Sequence, residues 1–297
     1  MKIEEGVALA RYTTLGTGGP ARAFARPATL DELREALAWA DWRGLRVAVV
    51  GLGSNLLVAD EGLDALVLKL GGELARVEVD GERVVAGAGA TNAVILHRAR
   101  AAELGGFEFA CAIPGTAGGG VWMNAGAYGG DFAQVLERAL VVDHEHGPRW
   151  LTPEELGLRY RHSDLRHGQV VAEVALRLRP RPLAEIKAEV AELQARRKAA
   201  QPTNKRTFGS VFKNPSHELT AGRMLEACGL RGHRIGGAVI SPRHANFIEN
   251  ADGARSADAV ALMAEARRRA WEQYGVELQH EVEFLGLPEL PPIGEQP

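Results

Sequence analysis

Residues 51–56 read Gly51-Leu52-Gly53-Ser54-Asn55-Leu56 and follow the apolar run Val47-Ala48-Val49-Val50. A strand that runs into such a turn offers consecutive backbone N–H groups and a hydroxyl, the donors that hold phosphate oxygens. The dinucleotide fingerprint G-x-G-x-x-G is nearly met and then fails. Its third glycine falls on Leu56, and no acidic residue closes a second strand–helix–strand unit. Phosphate binding is expected from Gly51, Gly53, Ser54, Asn55 and Leu56, without a nicotinamide-binding Rossmann domain. The plain alternative is a tight turn.

A second stretch is more unusual. Residues 112–130 carry glycine or alanine at most positions, and Thr116, Asn124 and Tyr128 are its polar side chains. A flexible linker does not explain it, because Ile113, Val121, Trp122 and Met123 would then sit in water. Backbone laid close against a large flat ligand does, since glycine removes the Cβ that would hold the ligand off. Pro114, Gly115, Thr116, Gly119, Asn124, Ala125 and Gly126 are the candidate contacts. A packed, ligand-free turn is the alternative.

The elements that must hold these loops are legible in outline. Residues 21–26 predict a short strand. Thr29 precedes Leu30, Leu33, Leu37 and Ala40 at helical spacing, with Asp31 and Glu32 in the first turn. That is an N-capped amphipathic helix, ended by Gly44. Residues 46–50 form the strand that feeds the first glycine turn. Strands are expected at 67–70, 75–79, 83–86, 140–142, 149–151 and 170–178. One helix, 91–104, interrupts them, capped by Thr91 or Asn92 and closed by Gly105-Gly106.

Pro180-Arg181-Pro182 marks a boundary. A charged helix over 183–200 follows, with Leu183, Ile186, Val190 and Leu193 on one stripe. Further on, helices are expected at 221–228 and 256–274, and strands at 238–240, 246–249 and 278–285. A proline-rich tail over 287–297 is expected to be loose. The fold class is α+β. The expected division is a module over 1–182 (lobes of about 1–65 and 66–182), a connecting helix over 183–201 and a domain over 202–297.

Composition narrows the function. The chain has 297 residues, room for two or three cores. A net charge of −3 lacks the basic excess of a nucleic-acid binder. Residues 1–16 carry no apolar signal core, and no apolar stretch approaches the roughly 20 residues of a bilayer span. Cys111 and Cys228 lie far apart in apolar surroundings, so no disulfide framework is expected. These features point to a cytoplasmic protein without membrane insertion. His144 and His146 share a strand face without a third ligand, and no metal is expected there.

The order of motifs carries a resemblance. The segment 51–60, the loop 113–129, Tyr160-Arg161-His162-Ser163, Gly209-Ser210-Val211-Phe212-Lys213-Asn214-Pro215 and the segment 278–286 occur in sequence. Together they resemble the UDP-N-acetylenolpyruvoylglucosamine reductase family over about residues 13–286. The short chain between Tyr160 and Gly209 is similar to the subgroup that lacks an extra tyrosine loop. Phe208 departs from the pattern, which has a small residue before Gly-Ser.

The resemblance implies a two-lobed FAD-binding module of the vanillyl-alcohol-oxidase type with a C-terminal α/β substrate domain. It implies that NADPH reduces tightly bound FAD, and that hydride passes from flavin N5 to the enolpyruvyl ether of a UDP-sugar, giving UDP-N-acetylmuramate. Negative charge then builds on the second carbon and its carboxylate, which needs stabilisation and a proton. Ser210 is implied as the proton donor, and Arg161 as a planar clamp on the carboxylate. Glu281 is implied as a protonated hydrogen-bond donor, with its carboxyl raised by burial and the neighbouring anion.

Tyr128, Tyr160, Lys205, Lys213, Asn214, His244 and Asn246 are candidate contacts to the UDP-sugar. The rival functions are an FAD-dependent alcohol or lactone oxidase or dehydrogenase, which would share the glycine loops but not this trio, and a non-catalytic nucleotide-binding module.

Overall fold

The computed structural model describes residues 1–293, in two compact units. The units are not linear. Unit 1 comprises Met1–Gly6, Arg22–Leu52 and Asp64–Arg197; unit 2 takes Val7–Ala21, Gly53–Leu63 and the chain from Lys198 onward. Sequence pattern alone keeps all of 1–182 in one module. The short segments 7–21 and 53–63 carry too little local pattern to reveal a partner so far along the chain.

Unit 1 holds two larger sheets and two short two-stranded pairings. In the first, Ile3 and Glu4 pair antiparallel with Ala25 and Phe24, and Arg46–Val49 pairs parallel with residues 65–68. The second is a five-stranded antiparallel sheet in the order Gly147–Leu151, Leu136–Asp143, Val170–Arg177, Arg83–Gly87, Val77–Asp80. Alternation along Leu136–Asp143 sends Ala139 and Val141 into the core, and the register shift between Leu136 and Arg138 lets Leu136 be buried too.

Helix α1, Leu30–Trp42, begins where Thr29 accepts the Glu32 N–H. The Glu32 carboxylate in turn accepts the N–H of Ala28, just before the cap, which ties the chain entry to the first turn. Helix α2, Asn92–Ala101, is capped the same way, by Thr91 on the Val94 N–H. It stops earlier than Gly105-Gly106 would have it, because Leu104 and Gly105 form a strand pairing with Pro180 and Arg179. A nonlocal ladder wins there over the local glycine stop signal. The core gathers Leu33, Leu37, Leu66, Leu68, Ile95, Val141 and Leu176. Phe107, Phe109 and Phe132 meet edge to face in it, at 5.3–6.3 Å between centroids.

Helix α3, Ala117–Trp122, lies inside the glycine-rich stretch, where an irregular loop was expected. Glycine's low helix propensity hides it from the sequence. Helix α4 spans Leu183–Ala200, with Ile186, Val190 and Leu193 buried along one stripe.

Unit 2 is built on a four-stranded antiparallel sheet, Thr207–Ser210, Phe247–Asn250, Ala238–Ile240, Arg234–Ile235. Against it pack α5, Ala221–Ala227, and α6, Ser256–Tyr274. The Asp60 carboxylate accepts the N–H groups of Ser256 and Ala257 at the start of α6 (2.9 and 3.1 Å), and Gly275 at φ 65° ends it. Ala259, Leu262, Met263, Ala266 and Ala270 are buried along its inner face. Truncating Leu262 to alanine would cost about 2–5 kcal/mol.

Of the strand expected over 278–285, Glu283–Leu285 pairs, in parallel, with Leu56–Val58. Before it, Glu281 donates its N–H to the Val211 carbonyl and the Gln279 carbonyl accepts the Lys213 N–H. The tail is anchored over its first part: Leu290 is buried, and Arg267 donates to the Pro291 carbonyl at 2.9 Å. The rest of the expected loose tail lies outside the described residues. Among the described residues no helix is long and apolar enough to cross a membrane.

Candidate functional site

The two glycine motifs meet inside unit 1. Gly51 lies against Thr116 so closely that a Cβ on Gly51 would stand 2.6 Å from the Thr116 hydroxyl. Lys69 Nζ donates to the Gly51 carbonyl at 2.6 Å, with its ammonium pKa lowered by burial and by nearby Arg26. Asn92 holds the second loop from behind: its side-chain amide donates to the Ile113 carbonyl and its N–H to the Gly115 carbonyl. Lys69 was not singled out from sequence, and Asn92 only as a candidate helix cap. The signal for Lys69 was a lone lysine closing an apolar strand.

Several glycines answer to internal packing rather than to a ligand. A Cβ on Gly120 would drive into the Phe132 ring, one on Gly130 into Phe109, and one on Gly118 into Ala88. Ala125 spends its N–H on the Gly120 carbonyl and its own carbonyl on the Phe132 N–H. Gly119 differs. It is exposed, and a Cβ there would find Thr116 Oγ1 at 3.7 Å and nothing closer. The open surface beside Gly51, Thr116 and Gly119 fits a cofactor's phosphate-bearing chain lying across bare backbone. Pro114, adjoining it, is exposed.

Arg161 sits at φ 52° in a tight turn closed by reciprocal Arg159–His162 backbone hydrogen bonds of 3.1 Å. Its guanidinium donates to the Gly126 carbonyl at 2.5 Å and lies over the Tyr160 ring. Asn124, buried and at φ 39°, gives its side-chain N–H to the Arg159 carbonyl and accepts the Ala133 N–H. Both ends of its amide are thus engaged by the protein's own backbone. Tyr128 and Tyr160 are exposed.

In unit 2, Gly53 is crossed by the chain at Tyr12–Thr14: a Cβ would stand 2.7 Å from Thr13 Cα, and Thr14 donates to the Gly53 carbonyl. Ser54 and Asn55 follow, and Leu56 opens the short strand paired with Glu283.

Ser210 ends its strand behind a bulge. Thr207 faces Glu249 and Ser210 faces Phe247, so the strand carries one residue more than its partner. Gly209, at φ 85°, takes up the twist. Phe208, the departure from the family pattern, is fully buried in the unit 2 core, and the bulge leaves Ser210 partly accessible. The next residue, Val211, accepts the Glu281 N–H at 2.8 Å, and Lys213 donates to the Gln279 carbonyl at 2.9 Å. Ser210 and Glu281 therefore lie on chain segments zipped side by side, with Phe212 bridged to His280 between them.

The remaining candidates separate by burial. Lys205 is exposed and Lys213 half-buried. Asn214 is exposed and accepts the Ala221 N–H that begins α5. His244 is half-buried with its pKa lowered, chiefly by burial. Asn246 is buried, and its amide is spent on both the N–H and the carbonyl of Phe212. It holds the loop after Ser210. No group of three or more His, Cys, Asp or Glu among the described residues could hold a metal ion. His144 pairs with Asp41 and His146 with Asp143.

Comparison with known proteins matches both parts of the chain. Residues 201–285 match the family described as UDP-N-acetylenolpyruvoylglucosamine reductase, C-terminal domain, and residues 21–148 match the FAD binding domain family. The UDP-N-acetylenolpyruvoylglucosamine reductase 2 of Symbiobacterium thermophilum is 43% identical over 286 residues, spanning 96% of this chain and 92% of the relative. The reductase of Anaeromyxobacter dehalogenans is 43% identical over 284 residues, spanning 96% and 85%. The crystal structure of the Thermus caldophilus UDP-N-acetylenolpyruvylglucosamine reductase superposes with a TM-score of 0.84 at 39% identity, covering 96% of this chain and 99% of that one.

Proposed function

The chain belongs to the UDP-N-acetylenolpyruvoylglucosamine reductase family and is an FAD-dependent oxidoreductase of peptidoglycan-precursor synthesis, and from that premise we propose how its own residues carry the reaction. The substrate is the enolpyruvyl ether of a UDP-sugar, reduced in the cytoplasm with NADPH as the source of electrons. When bound, FAD supplies hydride chemistry, which NADPH renews. The backbone of Gly51, Pro114, Gly115, Thr116 and Gly119 holds its phosphate-bearing chain, with Lys69 and Asn92 fixing those loops from behind.

Arg161 takes the substrate carboxylate. Its planar fork follows charge as it spreads over both oxygens during hydride addition, an interaction that strengthens toward the transition state. Ser210 gives its hydroxyl proton to the carbon left as a carbanion, which completes the change from enolpyruvyl to lactyl ether. Glu281 enters protonated and donates a hydrogen bond to the developing enediolate; an ionised carboxylate would repel it. Lys205, Lys213 and Asn214 are offered to the phosphates and sugar, and Tyr128 and Tyr160 to nucleotide or sugar faces. Asn246 supports the loop after Ser210.

The observation that carries this reading is the pairing of Val211 with Glu281 beside the Gly209 bulge, which brings proton donor and carboxyl partner onto adjacent segments of one unit. The test separates the half-reactions. Anaerobic NADPH should bleach the flavin, and the UDP-enolpyruvyl sugar should restore it. An alcohol-derived carbonyl product that restores the colour equally well would overturn the substrate assignment.

A further inference from the structure

The turn that carries Arg161 is fastened to the glycine-rich segment at three points within unit 1. Asn124 Nδ2 donates to the Arg159 carbonyl at 3.1 Å, Ser163 Oγ to the Trp122 carbonyl at 2.6 Å, and Arg161 itself to the Gly126 carbonyl at 2.5 Å. Two residues in this arrangement, Asn124 and Arg161, hold positive φ of 39° and 52° without being glycine. Such a conformation persists where surrounding bonds over-determine it. Asn124 is 2% exposed, and its carbonyl oxygen also accepts the Ala133 N–H at 2.8 Å. It therefore ties three chain segments together through one side chain.

We infer that Asn124 is a positioning residue for Arg161: it sets the aim of the guanidinium from within the cofactor-binding segment. The inference rests on the carboxylate role of Arg161 proposed above. Asparagine suits the position on two grounds. It tolerates the left-handed region better than other residues with a Cβ. Its amide also supplies a donor for the Arg159 carbonyl and an acceptor for the Ala133 N–H at once, where aspartate would set a carboxylate against the carbonyl. Without this tie the Arg161 turn keeps the Ser163 and Gly126 bonds and loses the one that fixes its entry. A clamp displaced by a fraction of an ångström weakens substrate capture without touching the flavin.

The holoenzyme with Asn124→Gly tests it, because glycine keeps the positive φ and removes only the side chain. Bound flavin and its reduction by NADPH should stay within ~2-fold of wild type, while KM for the UDP-enolpyruvyl sugar rises ~10-fold or more. Ser163→Ala removes a second fastening and should raise KM in the same direction by ~3-fold. Arg161→Ala is the control: if it leaves KM and kcat unchanged, the role of Arg161 itself falls. If Arg161→Ala impairs the enzyme while Asn124→Gly and Ser163→Ala both keep wild-type KM, the positioning role is overturned. Loss of flavin or equal slowing of both half-reactions in Asn124→Gly overturns it as well. Should Asn124→Gly fail to fold, the KM of Ser163→Ala decides.

Discussion

Asn55, in the glycine turn, donates its side-chain amide to the backbone carbonyl of Glu281 at 3.1 Å, and its own carbonyl accepts the Glu283 N–H at 2.9 Å. A residue expected to serve phosphate thus fixes the backbone of the acid assigned to the reacting group. Asn55→Ala removes one buried-edge hydrogen bond and should cost about 1 kcal/mol of stability. We expect NADPH reduction of the flavin to stay within ~2-fold and substrate-driven reoxidation to slow ~10-fold. Anaerobic stopped-flow traces of both steps check this; equal slowing of the two would assign Asn55 to the cofactor alone.

Ser210→Ala should leave flavin reduction intact and slow reoxidation by the enolpyruvyl substrate ~10²-fold or more, the usual worth of a positioned proton donor. Ser210 is only partly buried and alanine keeps its Cβ, so thermal stability should hardly move. A matching loss in NADPH oxidation would contradict the assignment.

Glu281→Gln keeps a neutral hydrogen-bond donor and Glu281→Ala does not. The glutamine variant should turn over within ~10-fold of wild type, and the alanine variant should fall ~10²-fold. Steady-state kcat on purified holoenzyme distinguishes them. Were the two equally poor, Glu281 would have to deliver a proton rather than a hydrogen bond.

Gly119 and Gly120 should part company. A Cβ on Gly120 meets the Phe132 ring with Cε1 at 2.8 Å, so Gly120→Ala should lose about 1–3 kcal/mol by overpacking. Gly119→Ala meets only Thr116 Oγ1 at 3.7 Å and should fold at least as stably as wild type. It should bind FAD ~10-fold more weakly if the cofactor lies across bare backbone there. Melting curves of the flavin-free proteins and FAD titrations read the two effects separately.

His244 carries a pH-dependent share of stability. Burial, with Arg231 second, holds its pKa below the ordinary 6.5. The folded state thus binds this proton less readily than the unfolded state. Its contribution is whole above about pH 6.5 and is lost as pH falls through the lowered folded value. His244→Gln removes that slope. Tm measured across about pH 5–8 should show wild type losing ground to the variant on the acid side. Parallel Tm profiles would rule the linkage out.

The regular elements were legible because their signals are local. Thr29, Thr91 and Thr220 each cap a helix, and α4 and α6 run over the residues their patterns predict, with Gly275 closing α6. What escaped was nonlocal or rested on weak propensity. Leu104 and Gly105 join a strand across the chain, and α3 hides among glycines. The glycine-rich segment was read as backbone laid against a flat ligand, and at Gly118, Gly120 and Gly130 the close neighbours are the protein's own side chains. Asn124, in the glycine-rich stretch, and Asn246, just before a strand, were candidate ligand contacts. That their amides are consumed by neighbouring backbone could be seen only once the chain was folded.

The parallel pairing of Glu283–Leu285 with Leu56–Val58 also sets an order of events as the chain leaves the ribosome. The strand edge next to Ser54 and Asn55 emerges early and finds its partner only when synthesis is almost complete. Until then Leu56–Val58 waits without its strand partner, the kind of edge on which nascent chains aggregate or recruit chaperones. A fragment starting at Lys198 would lack that edge and the Asp60 cap of α6, so the C-terminal region is an incomplete folding unit by itself.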